Sequence, residues 1–151
     1  MKIGIDPGVT GAIAKLNDDD SFISVLDMPV MAGTGKRQQV NSAELVKIIK
    51  AYSNGNCIAY LEQASAMPKQ GVSSMFSFGC SYGIIQGVLA ALSVPMVIVP
   101  PRTWKKRAGI IGKEKDYCRT LMQRLYPMAE LGRKKDIGRA DALAIARFGG
   151  T

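Results

Sequence analysis

The sequence predicts an α/β fold: a five-stranded mixed sheet, three antiparallel N-terminal strands followed by parallel strands, flanked by helices. Three observations carry that expectation. Three short apolar runs open the chain, separated by the turn residues Pro7-Gly8 and Asn17-Asp18-Asp19-Asp20, which is a strand-turn-strand rhythm. Two later apolar runs, Cys57–Gln63 and Met96–Val99, alternate with helix-patterned segments, as parallel strands joined by crossovers do. At 151 residues and 47% apolar composition, residues 1–151 have the size of one domain that buries a core without staples.

The elements follow in order. Lys2 to Ala14 reads KIGIDPGVTGAIA: an apolar strand ends in Asp6, Pro7-Gly8 turns the chain, and Val9–Leu16 reads as the second strand. Gly8, Thr10, Gly11 and Ala12 leave space around Asp6 that suits a metal ion or a phosphate; the plainer alternative is a hairpin with a surface Asp at its mouth. The acidic triplet at 18–20 lacks the later ligands and glycine of a calcium loop and reads as a solvated turn before a third strand, Phe22–Met28. Pro29–Gln39 is expected as a mobile loop in which Lys36 and Arg37 reach phosphate, although it has no P-loop spacing. Asn41 and Glu44 form a capping-box pattern ahead of a helix whose apolar face, Leu45, Ile48 and Ile49, runs to about Ser53.

Cys57–Gln63 is a strand ending in Glu62, and a carboxylate there is costly unless it meets a partner or a metal. Placed parallel beside the first strand, it brings Asp6 and Glu62 to one carboxyl edge, where open α/β sheets bind ligands. After a loop, Ala64–Gly71, comes a long apolar helix, Val72–Leu92, with Gly79, Gly83 and Gly87 on one face. Each glycine costs about 1 kcal/mol in a helix relative to alanine, so the stripe is expected to meet another backbone, either the sheet or, preferably, a second copy of itself. Strand Met96–Val99 is ended by Pro100-Pro101. Arg102–Lys115 combines Trp104 with basic residues and two flexible glycines, which suits a phosphate backbone; Trp104 itself reads as core. A helix starts at Lys113 or Lys115 and runs to about Tyr126, a basic loop spans Leu131–Lys135, and a final helix runs from about Ile137 to Phe148. In its ADALAIA segment, residues 140–146, Asp141 sits among small residues that pack closely against something, whereas Asp136 stands where a helix cap would.

Composition narrows the chemistry. There is no histidine, which excludes Ser-His-Asp and Cys-His catalysis and histidine-held zinc. The net charge of +8 is concentrated: Arg102 to Arg139 holds twelve basic residues against four acidic ones, and the rest of the chain is balanced. Such a patch is the footprint of a polyanion, here nucleic acid. Cys57, Cys80 and Cys118 are too scattered for a disulfide framework or a zinc knuckle and are expected as reduced thiols in or beside the core. With no uninterrupted run of the ~18 apolar residues a membrane span needs and a strand at the very start, the expectation is a cytoplasmic protein with neither signal peptide nor membrane partner.

The order GIDPGVTG, LEQ, GKEK, ADALAIA resembles the RuvC-type Holliday junction resolvases of the ribonuclease H-like nucleases, nearly end to end. The resemblance implies a crossover junction endodeoxyribonuclease that uses two Mg²⁺ or Mn²⁺ ions, about 4 Å apart, to hydrolyse phosphodiesters. It implies that Asp6, Glu62 and Asp141 are catalytic metal ligands and that Lys105 and Lys115 bind DNA or support catalysis. Arg102, Lys106, Arg107, Lys113, Lys134 and Lys135, with Lys36 and Arg37, complete the expected DNA contacts. A homodimer through the Gly79/Gly83/Gly87 helix, acting on four-way and other branched DNA, is implied as well. The chain departs from the family at three points. The fourth ligand position is Gly138, leaving Asp136 as the nearby carboxylate able to substitute as ligand and catalytic residue. Ser65 stands where bacterial members place an aromatic wedge, so strand opening falls to Met67 or Phe76 or is weaker. No extension is expected beyond the last helix. In these departures the chain resembles compact phage-type members, which implies the cytoplasm of a bacterial cell or phage-infected host. Competing readings are an actin-like ATPase fragment, a non-catalytic junction-binding protein of the same fold, and a related nuclease that prefers RNA.

Overall fold

The computed structural model describes residues 1–33, 37–53, 55–65, 69 and 71–150. In chain order the strands are β1 (Lys2–Asp6), β2 (Ala12–Leu16), β3 (Phe22–Asp27), β4 (Val30–Ala32), β5 (Gln38–Val40), β6 (Ile58–Glu62) and β7 (Met96–Val99). The α-helices are α1 (Ser42–Tyr52), α2 (Val72–Ala91), α3 (Pro101–Arg107), α4 (Tyr117–Leu125) and α5 (Ile137–Phe148). Five strands form one mixed sheet in the order β3-β2-β1-β6-β7, with β1, β2 and β3 antiparallel and β6 and β7 parallel to β1, as the sequence predicts.

The local differences have physical causes. β2 begins at Ala12 rather than Val9 because the turn runs on to Gly11, whose N–H donates to the Gly8 carbonyl at 3.2 Å. The segment expected as a loop after Pro29 contains the β4–β5 hairpin, in which Val30 pairs with Val40; Lys36 and Met67 lie outside the described residues. Asn41 caps α1 through its Oδ1, which accepts the Glu44 N–H at 3.1 Å. The other half of the capping box does not form: the Asn41 N–H goes to the Pro29 carbonyl at 2.8 Å and the Glu44 carboxylate to Lys47 at 2.9 Å. β7 stops at Val99, just before Pro100-Pro101 as expected, and Pro101 also opens α3, where a first-turn residue without an N–H loses no helical bond. Gly109 and Gly112, at φ of 69° and 75°, keep the chain in turns until α4 begins at Tyr117, later than expected.

Two cores sandwich the sheet. Ile3, Ile5, Ile13, Ala59 and Leu61 face α1 and α2, while Ala12, Ala14 and Val99 face α3, α4 and α5. α5 lies almost directly on β1: a Cβ at Gly4 would stand 2.1 Å from the Ala142 carbonyl oxygen and 2.4 Å from the Ala146 nitrogen. Only glycine in the strand and small residues on the helix permit that approach. α2 is attached by one side, through Ile85, Val88 and Leu89. By length and composition it is apolar enough to cross a membrane, though that buried side is committed to the sheet. Its other side exposes Val72 and Phe76, and Cβ atoms at Gly79, Gly83 and Gly87 would meet nothing within 4 Å. Of the two partners expected for the glycine stripe, the sheet is therefore excluded. Cys118 is buried as expected and Cys57 half-buried, but Cys80 is exposed on α2.

Candidate active site

Parallel pairing in register places Asp6 beside Glu62. Lys2 opposes Ile58 and Ile5 opposes Leu61, so one further step sets the two acids side by side at the carboxyl edge, a strand spacing of about 4.8 Å apart. Alternation points both toward α5, because Gly4 and Tyr60, two residues before each, contact that helix or the core it belongs to. α5 delivers Asp141 to the same place, within electrostatic reach of both.

The three carboxyls resist ionisation. Burial raises Asp6 well above the usual carboxyl range, and the charges of Asp141 and Glu62 raise it further against the pull of Lys105. Burial raises Glu62 too, opposed by a hydrogen bond from Trp104 and by Lys105. Burial raises Asp141, opposed by a hydrogen bond from Cys118 and by Lys105 and Lys115. Mutually repelling oxygen donors short of positive charge match a hard divalent cation. Among the described residues, no three Asp, Glu or Cys side chains are gathered tightly enough to cage an ion by themselves. Glu62 Oε2 instead accepts the Trp104 Nε1–H at 2.7 Å. Burial, and after it the nearby Asp141 charge, push the Cys118 thiol up.

Beside Asp141 opens a cavity of about 490 Å³, lined by Arg102, Lys105, Lys113, Lys115 and Cys118. Four of the expected DNA contacts thus share a wall with one of the acids. Lys106, Lys134 and Lys135 are exposed on the surface. Arg37 lies elsewhere, donating to Ser73 Oγ at 2.8 Å beside α2. Arg107 closes the end of α5: its Nη1 donates to the carbonyls of Phe148 at 3.2 Å, Gly149 at 3.0 Å and Gly150.

Asp136 does not join the three acids. It is buried in a short 3₁₀ turn, Lys134–Asp136, where it accepts the Arg133 N–H at 2.7 Å and the Arg133 guanidinium at 2.7 Å. Those bonds hold its carboxyl below the usual range, the opposite of the other three. The position that does face the site is Gly138, where a Cβ would stand 3.3 Å from Asp6 Oδ2 but only 2.5 Å from the Thr10 carbonyl oxygen. α5 and the β1–β2 turn are too close there for any side chain, so neither residue adds a fourth carboxylate.

Two site residues escaped the sequence reading. Trp104, expected as plain core, is fully buried and still bonds Glu62; the signal was available, since a buried indole N–H needs an acceptor. Cys118 at Asp141 gave no such signal.

No family model and no curated protein matches the sequence. Solved structures do. A Thermus thermophilus RuvC structure aligns with a TM-score of 0.58 at 16% identity, covering 95% of this chain and 89% of that one. T. thermophilus RuvC in complex with a Holliday junction substrate aligns with a TM-score of 0.58 at 15% identity and the same coverage. The sheet order, the flanking helices and these two alignments together assign the chain a RuvC-type fold of the ribonuclease H-like α/β class.

Proposed function

We propose that this chain is a divalent-metal-dependent endonuclease that cuts branched DNA, four-way junctions above all, by paired nicks leaving 5′ phosphates. The observation that carries the reading is the meeting of Asp6, Glu62 and Asp141 beside a cavity walled by Arg102, Lys105, Lys113 and Lys115, on a fold shared with a RuvC bound to a Holliday junction. Asp6, Glu62 and Asp141 would hold two Mg²⁺ or Mn²⁺ ions, whose chemistry is to lower the pKa of a bound water and to steady the departing 3′ oxygen. Lys105, which faces all three acids, and Lys115, which faces Asp141, orient the phosphate between the acids and the basic wall. Arg102 and Lys113 hold flanking phosphates, so that selection rests on the shape of the junction more than on its bases. Paired cuts need two such sites. The free Gly79/Gly83/Gly87 face of α2 is the surface on which a second copy would dock.

A synthetic mobile four-way junction, incubated with protein and Mg²⁺ or Mn²⁺, tests the reading. Wild type yields symmetric nicks that a ligase reseals, and Glu62→Gln loses at least about 100-fold in rate while still shifting the junction on a gel. Junction binding with no cleavage in either metal would instead mark a non-catalytic binder, the reading that the missing carboxylate at Gly138 favours.

A further inference from the structure

Glu62 is held by a residue that packing alone does not require. Trp104 is the single tryptophan of the chain and is fully buried. A phenylalanine would fill most of that space; what the indole adds is an N–H, and it is given to Glu62 Oε2 at 2.7 Å. The delivery is short and stiff. Glu62 pairs with Val99 across β6 and β7, the Gln63 N–H donates to the Val99 carbonyl at 2.8 Å, and α3 begins two residues after Val99. The next residue on α3, Lys105, places its ammonium 5.2 Å from the Trp104 ring centroid. One turn of helix thus carries both a donor to Glu62 and a cation facing the acids. The indole bond occupies Oε2 only, so Glu62 is fixed in direction with Oε1 outside that bond.

We infer that Trp104 is a positioning residue for Glu62, fixing the rotamer in which this carboxylate takes up a divalent cation. The inference rests on the metal-dependent reading above. Outer partners that orient a ligand are worth about 10–100-fold in metal affinity or activity. The same bond makes Trp104 emission a reporter of what Glu62 holds.

The test is Mn²⁺ binding, measured by the free-ion paramagnetic resonance signal, on wild type, Trp104→Phe, Glu62→Gln and the double variant. Trp104→Phe is expected to weaken Mn²⁺ binding about tenfold in the wild-type background and not at all in the Glu62→Gln background. A loss of equal size in both backgrounds, or none in either, overturns the inference. Should Trp104→Phe fail to fold, the intact indole serves. Mn²⁺ must quench Trp104 emission saturably in wild type and far less in Glu62→Gln, and equal quenching in the two overturns it. Junction cleavage by the wild type separates the failures: coupling without cleavage keeps the positioning role and removes the nuclease, and cleavage without coupling does the reverse.

Discussion

Gly138 offers the sharpest test of how the site is built. A methyl at this position stands 2.5 Å from the Thr10 carbonyl oxygen and 3.2 Å from Gly11 Cα, about 0.9 Å inside ordinary contact at the nearer atom. The obstacle is backbone, and it is tied down. Gly11 donates to the Gly8 carbonyl at 3.2 Å and accepts the Met28 N–H at 2.9 Å, so the turn does not swing aside. Relief must come from lifting the first turn of α5, which carries Asp141 one turn further on. Overpacking of this kind costs about 1–3 kcal/mol, larger than the small helix-propensity gain of an alanine near a helix start. In a protein of this length, that lowers the melting midpoint by roughly 3–10 °C. Gly138→Ala is therefore expected to melt lower than wild type and to cut more slowly. Gly138→Asp, which restores the acid that the resemblance leads one to expect, is worse on both counts. Thermal and urea unfolding with a junction-cleavage assay decide it: a wild-type midpoint for Gly138→Ala, or faster cleavage by Gly138→Asp, refutes the argument.

Asp6→Asn sets stability against activity. The raised folded pKa of Asp6 means its contribution to stability is whole below about pH 4 and is lost as pH rises through the folded value. In metal-free buffer near pH 7 the variant should melt above wild type, with the gap closing toward pH 4, while Mg²⁺ raises the melting point of wild type alone. The same direction of shift in all three acids makes metal uptake compete with protons, so the Mn²⁺ concentration for half-saturation should rise as pH falls below neutrality; a flat profile contradicts it. Asp136→Asn should leave cleavage near the wild-type rate and lower stability at neutral pH, a loss that shrinks as pH falls through the depressed folded value; abolished cleavage would return Asp136 to the site. Gly83→Ala reads the α2 face by sign: on a free helix it stabilises by about 1 kcal/mol, whereas in a close helix pair it weakens the dimer measured by sedimentation.

Much of the frame was legible because the strands announce themselves. Two apolar runs that each end in an acid, Asp6 and Glu62, need only parallel pairing to bring those acids together, and the small residues around Asp141 signal a helix pressed onto a sheet. What was not legible depends on partners distant in sequence or on one local choice between equals. Pro100-Pro101 reads equally as a stop and as a start, so α3 was missed, and with it the route by which Trp104 meets a residue 42 positions earlier. Asp136 was three residues from Arg133, and that local pairing outweighed the more distant site. Arg107 counted as a free cation until the end of α5 turned out to need one.

The approach of α5 onto Gly4 has a consequence for how this protein could change. Because main chain rests on main chain, the gap between Asp6 and Asp141 is set by the thickness of two backbones, a dimension that exchange of core side chains leaves untouched. On the proposed metal-dependent reading, adapting the centre to an ion of different radius would proceed through the Trp104–Glu62 contact, where side chains rather than main chain set the spacing.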